Sequence, residues 1–326
     1  MKLKKILSLV MLAALLISAT CFTTSCGKAK YTVGICQLVQ HEALDAATQG
    51  FKDALNKILG EGTVKFDEQN AANSTDTCAT IVSTFVTKKV DLILANATPA
   101  LQAAQSATTT IPILGTSITE YGVALGIDNF NGTVGSNISG TSDLAPLDKQ
   151  ADMFTELLPN ANKVGLLYCS GEPNSKYQVK EIKKFLEAKG ITCTEYSFSD
   201  SNDVSTVANK AAAENDALYI PTDNTAASCA QTIYGAMTTK KPIIAGESGI
   251  CKGCGIATLS IDYYDLGYAT GEMAAKILKG EADISKMPIE YTPESKLSKL
   301  YNKEICEELG INVSDLESKG YTDINK

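Results

Sequence analysis

Arginine is missing from all 326 residues, so each of the 29 basic side chains is a lysine. No planar guanidinium fork exists to clamp a carboxylate or a phosphate through two parallel hydrogen bonds. Tryptophan is also missing, and His41 is the single histidine. With no serine or cysteine motif arranged to use it, that imidazole is expected in a loop or at a cleft edge rather than as a catalytic base. Positive charge is short overall: 29 basic against 37 acidic side chains give a net charge of −8, which argues against nucleic acid as a partner. Of the ten cysteines, only Cys251 and Cys254 have CxxC spacing. No second CxxC and no histidine stands near them, so neither a metal nor any other cofactor is expected. A local disulfide or a plain loop is the ordinary reading, and an extracytoplasmic redox protein using this pair is the different-class alternative. Cys36, Cys78, Cys169, Cys193 and Cys229 sit in apolar or helical context and are expected as small core residues.

The one long apolar run, ILSLVMLAALLISA, has 14 residues and follows the cationic MKLKK. It is short for a membrane span and built like a secretory signal, expected over residues 1–25. Cys26 before Gly27 resembles the lipobox of bacterial lipoproteins, with Cys21 as the alternative. The resemblance implies lipidation at Cys26, a short linker over 26–30, and anchorage to the outer face of a membrane. Loss of the signal takes Lys2, Lys4 and Lys5 with it, leaving 26 basic against 37 acidic side chains and a net charge of −11. The remaining 300 or so residues exceed what one core usually organises, so two domains are expected.

From Tyr31 onward, short β-branched apolar runs alternate with helical periodicity: YTVGICQLV, HEALDAATQGFKDALNKIL, VKFDEQN, DTCATIVSTFVTKK, DLILAN, TPALQAAQSA, PILGTSI. This βαβαβαβ order demands a parallel sheet with helices on both faces. After a connecting stretch, VGSNISGTS, and a helix, LDKQADMFTELL, the same order restarts with KVGLLYCS and continues through ALYIPTD, the helix NTAASCAQTIYGAMTTKK and PIIAGES. The two halves align as a repeat: Gly34 matches Gly165, Asp91 matches Asp216, and Pro112 matches Pro242. The fold class is therefore α/β, two Rossmann-like lobes with parallel sheets.

Ligands of open parallel sheets bind at the carboxyl ends of the strands. The repeat places Thr98 opposite Asp223 and Thr116 opposite Glu247, with the loop from Gln37 to His41 facing the loop after Tyr168. Thr98, as a helix cap followed by Pro99, favours an anion. Asp223, supported by Glu247, favours a cation. An α-amino acid satisfies both walls. Thr-Pro and Asp-Asn are also ordinary helix caps, so either residue taken singly reads as well that way.

QLVQHEALD, ANATPALQAA, ILGTSITEYG, YIPTDNTAAS and IDYYDLGYATGEMAAKILKGE together resemble the TrpX-type family of ABC-transporter substrate-binding proteins, associated with aromatic amino-acid uptake. The resemblance implies the type I periplasmic-binding fold, with a three-strand hinge between lobe 1 (residues 31–140 and 256–284) and lobe 2 (141–255 and 285–326). By the same resemblance the ligand contacts are Gln37, Thr98, Thr116, Asp223, Asn224 and Glu247, with Pro99 and Ser117 of the matched wall motifs as further candidates, and the chain is expected as a monomer that delivers its cargo to a permease driven by a separate ATPase. It implies no enzyme activity. Where the family's first loop has a proline after the histidine, this chain has Glu42. A nucleoside or sugar receptor of the same fold is the alternative; a transcription regulator with these lobes would begin with a basic helix-turn-helix, and this chain begins with a signal.

Overall fold

Strand β1 (Tyr31–Gln37) has only its first two residues partly exposed, and β3 (Leu92–Asn96) and β4 (Ile113–Ile118) are buried throughout. Strands so apolar on both faces need helices above and below them. The structure, a computed structural model, describes residues 29–326. The expected signal over 1–25, with Cys21 and Cys26, lies outside the described residues.

The first sheet adds β2 (Val64–Asn70), β5 (Ile138–Ser142) and β11 (Glu290–Tyr291), in the order β11-β5-β4-β3-β1-β2. The second contains β6 (Lys163–Cys169), β7 (Thr192–Phe198), β8 (Ala217–Ile220), β9 (Ile243–Ala245), β10 (Ala257–Ser260), β12 (Ser298–Tyr301) and β13 (Thr322–Asp323). Its order is β13-β12-β10-β9-β8-β6-β7, parallel except where β10 meets β12. Five strands of each sheet therefore follow one pattern, and the repeat extends to single hydrogen bonds. The Asp91 carboxylate accepts from Thr32 N at 2.7 Å; its match, Asp216, accepts from Asn162 N and Lys163 N at 2.9 Å each. Pro112 O and Pro242 O each receive the amide of the neighbouring strand, from Ile93 and Leu218.

Three features differ from the sequence reading. VGSNISGTS is not only a connection, because Ile138–Ser142 forms β5 and pairs with β4. The helix expected over 224–241 is two short helices, α8 (Asn224–Ser228) and α9 (Ala230–Ala236), broken where Cys229 leaves helical geometry at φ −126°. The boundaries expected at 140, 255 and 284 also move: β5 runs to Ser142 in the first sheet, β10 belongs to the second, and β11 returns to the first. The chain changes lobe after Ser142, after Ser260 and after Tyr291, because each strand stays with the sheet that satisfies its backbone before the chain crosses.

The segment after the second crossing, α11 (Tyr263–Leu278), packs on α1 (Glu42–Leu59) of the first lobe. Glycines set the spacing: a Cβ at Gly267 would lie 1.9 Å from Ala47 O, and one at Gly50 would lie 2.1 Å from Tyr264 O. Only two backbones without side chains at these points approach so closely.

Candidate functional site

The carboxyl ends of the two sheets meet, and side chains cross between them. Asn73 Nδ2 donates to Thr225 Oγ1 at 3.0 Å, and His41 Nε2 stands 3.4 Å from Asn224 Oδ1. At the rim, Lys252 Nζ pairs with the Glu42 carboxylate at 2.9 Å. His41 is the N-cap residue of α1, a cleft-edge position as its sequence context suggests.

On the first lobe the backbone is strained where it faces the cleft. Ala97 caps α3 (Thr98–Ala107) at φ 89° and ψ 157°, a conformation that side chains rarely adopt. The cap is thus Ala97 rather than Thr98; Thr98 opens the first turn with Pro99 next, and both are buried. The amides of Thr98 and Ala100 belong to that first turn, whose N–H groups have no partner within the helix and favour an anion. Beside it, β4 breaks register with β5 between Gly115 and Ile118, and Ser117 takes φ 56°. The Ser117 hydroxyl is buried and finds no partner among the described residues. Thr116 instead joins a hydroxyl chain inside the lobe, 3.4 Å from Thr141 Oγ1, which in turn is 2.8 Å from Thr270 Oγ1. Gln37 spends its amide within the lobe: Nε2 donates to Val39 O and Asp45, and Oε1 accepts from Thr48. It holds the start of α1 against β1.

The second lobe contributes carboxylates. Asp223 is the N-cap of α8; its oxygens accept from Ala226 N at 2.8 Å and Cys169 N at 2.7 Å. Burial, and then the negative Glu172, push its carboxyl well above the usual range. Glu247 is the N-cap of α10 (Ser248–Cys254) and accepts from Gly249 N and Ile250 N at 2.7 and 2.6 Å. Burial raises it to about 7 against those two amides. Asn224 is fastened to Glu172 by its amide and its side chain, and so is Thr225.

Sequence reasoning missed Glu172, Asn174 and Asp143. Glu172 lies in the loop after β6 and accepts five hydrogen bonds, from Asn174, Asn224 and Thr225. Asn174, at the start of α6 (Pro173–Ala188), uses its NH2 on Glu172 and Thr222 O, and its Oδ1 is buried without a partner among the described residues. Asp143 follows β5 at the first crossing; its amide donates to Ile118 O and its Oδ2 accepts from Tyr263 OH at 3.1 Å. Glu172 and Asn174 lie in the second half of the repeat, where Glu172 caps α6 as His41 caps α1, and Asp143 lies at the crossing between the halves. The available signals were the place of Glu172 opposite His41 in the repeat and, for Asp143, a carboxylate directly after a strand end.

Cys251 and Cys254 lie on α10, not in a loop or a disulfide, and both thiols are free and buried. Cys251 Sγ donates forward to Gly255 O and Cys254 Sγ back to Ile250 O, and burial pushes both thiols up, away from the reactive thiolate. This overturns the redox alternative.

A family model described as "ABC transporter substrate binding protein" matches residues 32–320. A curated relative, the "Tyrosine-binding protein" of Clostridioides difficile (strain R20291), is 37% identical over 273 residues, 83% of this chain and 79% of that protein. Among solved structures, an ABC domain from Streptococcus pneumonia in complex with L-Trp superposes with a TM-score of 0.84 at 32% identity, covering 90% of this chain and 99% of that one. A ligand-free, open substrate-binding protein with adhesive properties from Clostridium difficile gives 0.68 at 37% identity over the same shares. The chain superposes better on the tryptophan complex than on the open relative, against the order of identity. The two parallel-sheet lobes have the type I periplasmic-binding fold.

Proposed function

The chain belongs to the family of ABC transporter substrate-binding proteins, and on that premise we propose that it captures a free aromatic amino acid between its two lobes. It is an extracytoplasmic solute-binding protein and not an enzyme. The observation that carries the amino-acid reading is the pairing of opposite preferences at the facing strand ends. The bare Ser117 hydroxyl and the first turn of α3 favour a carboxylate, while Asp143, Glu172, Asp223 and Glu247 are buried with no buried lysine among the described residues. A group of one sign at each end of the site is what an α-amino acid presents. The aromatic side chain is supported by the tyrosine and tryptophan named for the relatives.

In this reading the ligand bridges the lobes and closure strengthens its polar contacts as water leaves, so ligand favours the closed arrangement. A monomer anchored through a lipid on Cys26 then delivers the amino acid to a permease and its ATPase. Isothermal titration of residues 27–326, unfolded and refolded to strip carried ligand, tests the substrate class. We expect tight binding of tyrosine, tryptophan or phenylalanine, lost on acetylation of the α-amine. Binding of adenosine alone would overturn the amino-acid reading and leave family membership intact.

A further inference from the structure

Four buried carboxylates meet at the lobe junction, and their partners separate them. Glu172 has five donors, and Asp223 and Glu247 have a backbone N–H on each oxygen. Each is held by its own lobe with both oxygens answered by donors. Asp143 is different. It is 3% exposed, its Oδ2 receives the Tyr263 hydroxyl, the Thr119 hydroxyl and its own amide add weaker support to the carboxyl, and its Oδ1 is buried without a hydrogen-bond partner among the described residues. A bare, water-excluded carboxylate oxygen is among the most costly groups a fold can hold, and a cation is what repairs it.

Its position fits a ligand. Asp143 stands at the carboxyl end of β5, bonded to the end of β4 one residue beyond Ser117, and Tyr263 reaches it from α11. The chain on either side leads into one lobe each, so the residue lies at the hinge end of the cleft. The ionisable groups that face it are Tyr263, Tyr121 of α4 (Tyr121–Leu125) and, from the other lobe, Glu247. None is a cation. The other bare buried groups among the described residues are Asn96 Oδ1, Asn174 Oδ1, His41 Nδ1 and the Ser117 and Thr258 hydroxyls, and none is a carboxylate; Asn174 and His41 are within two hydrogen bonds of the saturated Glu172.

Resting on the reading of the ligand as an amino acid, we propose that Asp143, not Asp223, pairs with the ligand's α-ammonium, and that the Tyr263 hydroxyl is the positioning group that turns Oδ1 toward it. Ser117 and the first turn of α3, adjacent along β4, then receive the ligand carboxylate. Asp143 titrates near pH 6, raised by burial. Proton loss precedes pairing, so affinity falls as pH drops below that value.

The test is Asp143→Asn, which keeps an acceptor for Tyr263, titrated with L-tyrosine and with its desamino analogue, 3-(4-hydroxyphenyl)propionate. We expect L-tyrosine affinity to fall roughly 30-fold or more while the analogue is unaffected or bound more tightly. A tyrosine-to-analogue ratio equal to that of the unaltered protein would overturn the assignment. Should the variant fail to fold, the unaltered protein decides: L-tyrosine affinity is expected to weaken about tenfold per pH unit well below about 6, with the analogue flat or bound more tightly. An affinity that is flat from neutral pH to pH 5 for both compounds overturns it. Failure of every amino acid to bind removes the reading beneath the proposal, and is distinct from amino-acid binding that ignores Asp143.

Discussion

Asp223 shows how one residue type in one pattern supports two roles that only its neighbours separate. Its place after an apolar strand and before a small-residue helix was visible in ALYIPTDNTAAS, and so was the cap alternative. What was not visible is that Cys169 N, 54 residues away, takes the second oxygen. Asp223→Ala leaves two buried amides unanswered and is expected to lower the unfolding free energy by about 1–3 kcal/mol, read by urea denaturation. Asp223→Asn keeps one acceptor and sheds a charge that burial disfavours, so its loss should be less than half as large. Ser117 is the opposite case. Its candidacy came from the match of GTS with GES in the repeat, and its positive φ accompanies a slip of β4 against β5 that no local residue preference announces.

Among elements, α1 and α10 illustrate what chain order conceals. Glu42 in the first turn of α1 departs from the family's proline, and Lys252 sits in the last turn of α10, 210 residues on. They meet across the cleft mouth at 2.9 Å, with side chains 59% and 47% exposed. Exposed pairs contribute about 0–1 kcal/mol and are screened by salt. Lys252→Ala is therefore expected to weaken ligand affinity by no more than about 5-fold at low ionic strength and not at all at high salt, measured by titration in both buffers. A larger, salt-independent loss would mean that the pair acts through the backbone of α10. Helix and strand types were legible from periodicity. The break at Cys229 and the lobe to which β10 belongs were not, because both depend on which neighbour supplies the hydrogen bonds.

For the whole molecule the buried acids set a pH dependence. Asp143, Glu247 and Asp223 are all raised by burial above their unfolded values. The folded state thus holds more protons than the unfolded chain: this stabilisation is full below the unfolded carboxyl range and is lost as pH rises through about 6 and about 7 for the first two. Asp67, Asp203, Asp216 and Asp283 shift the other way, but act below the ordinary carboxyl value, and His41, lowered by burial, opposes the trend below the ordinary imidazole value as one group against three. The ligand-free protein should therefore melt at a higher temperature at pH 5 than at pH 8, and bound amino acid should narrow that gap, as followed by thermal denaturation with and without tyrosine. The α/β class, the two lobes and the family were already present in the order of residues, since apolar runs, helical periods and the register of a repeat are local properties that survive without coordinates. Which carboxylates are capped, which one is left bare, and where the chain crosses between lobes were settled by folding, because each depends on hydrogen bonds between residues dozens to hundreds of positions apart.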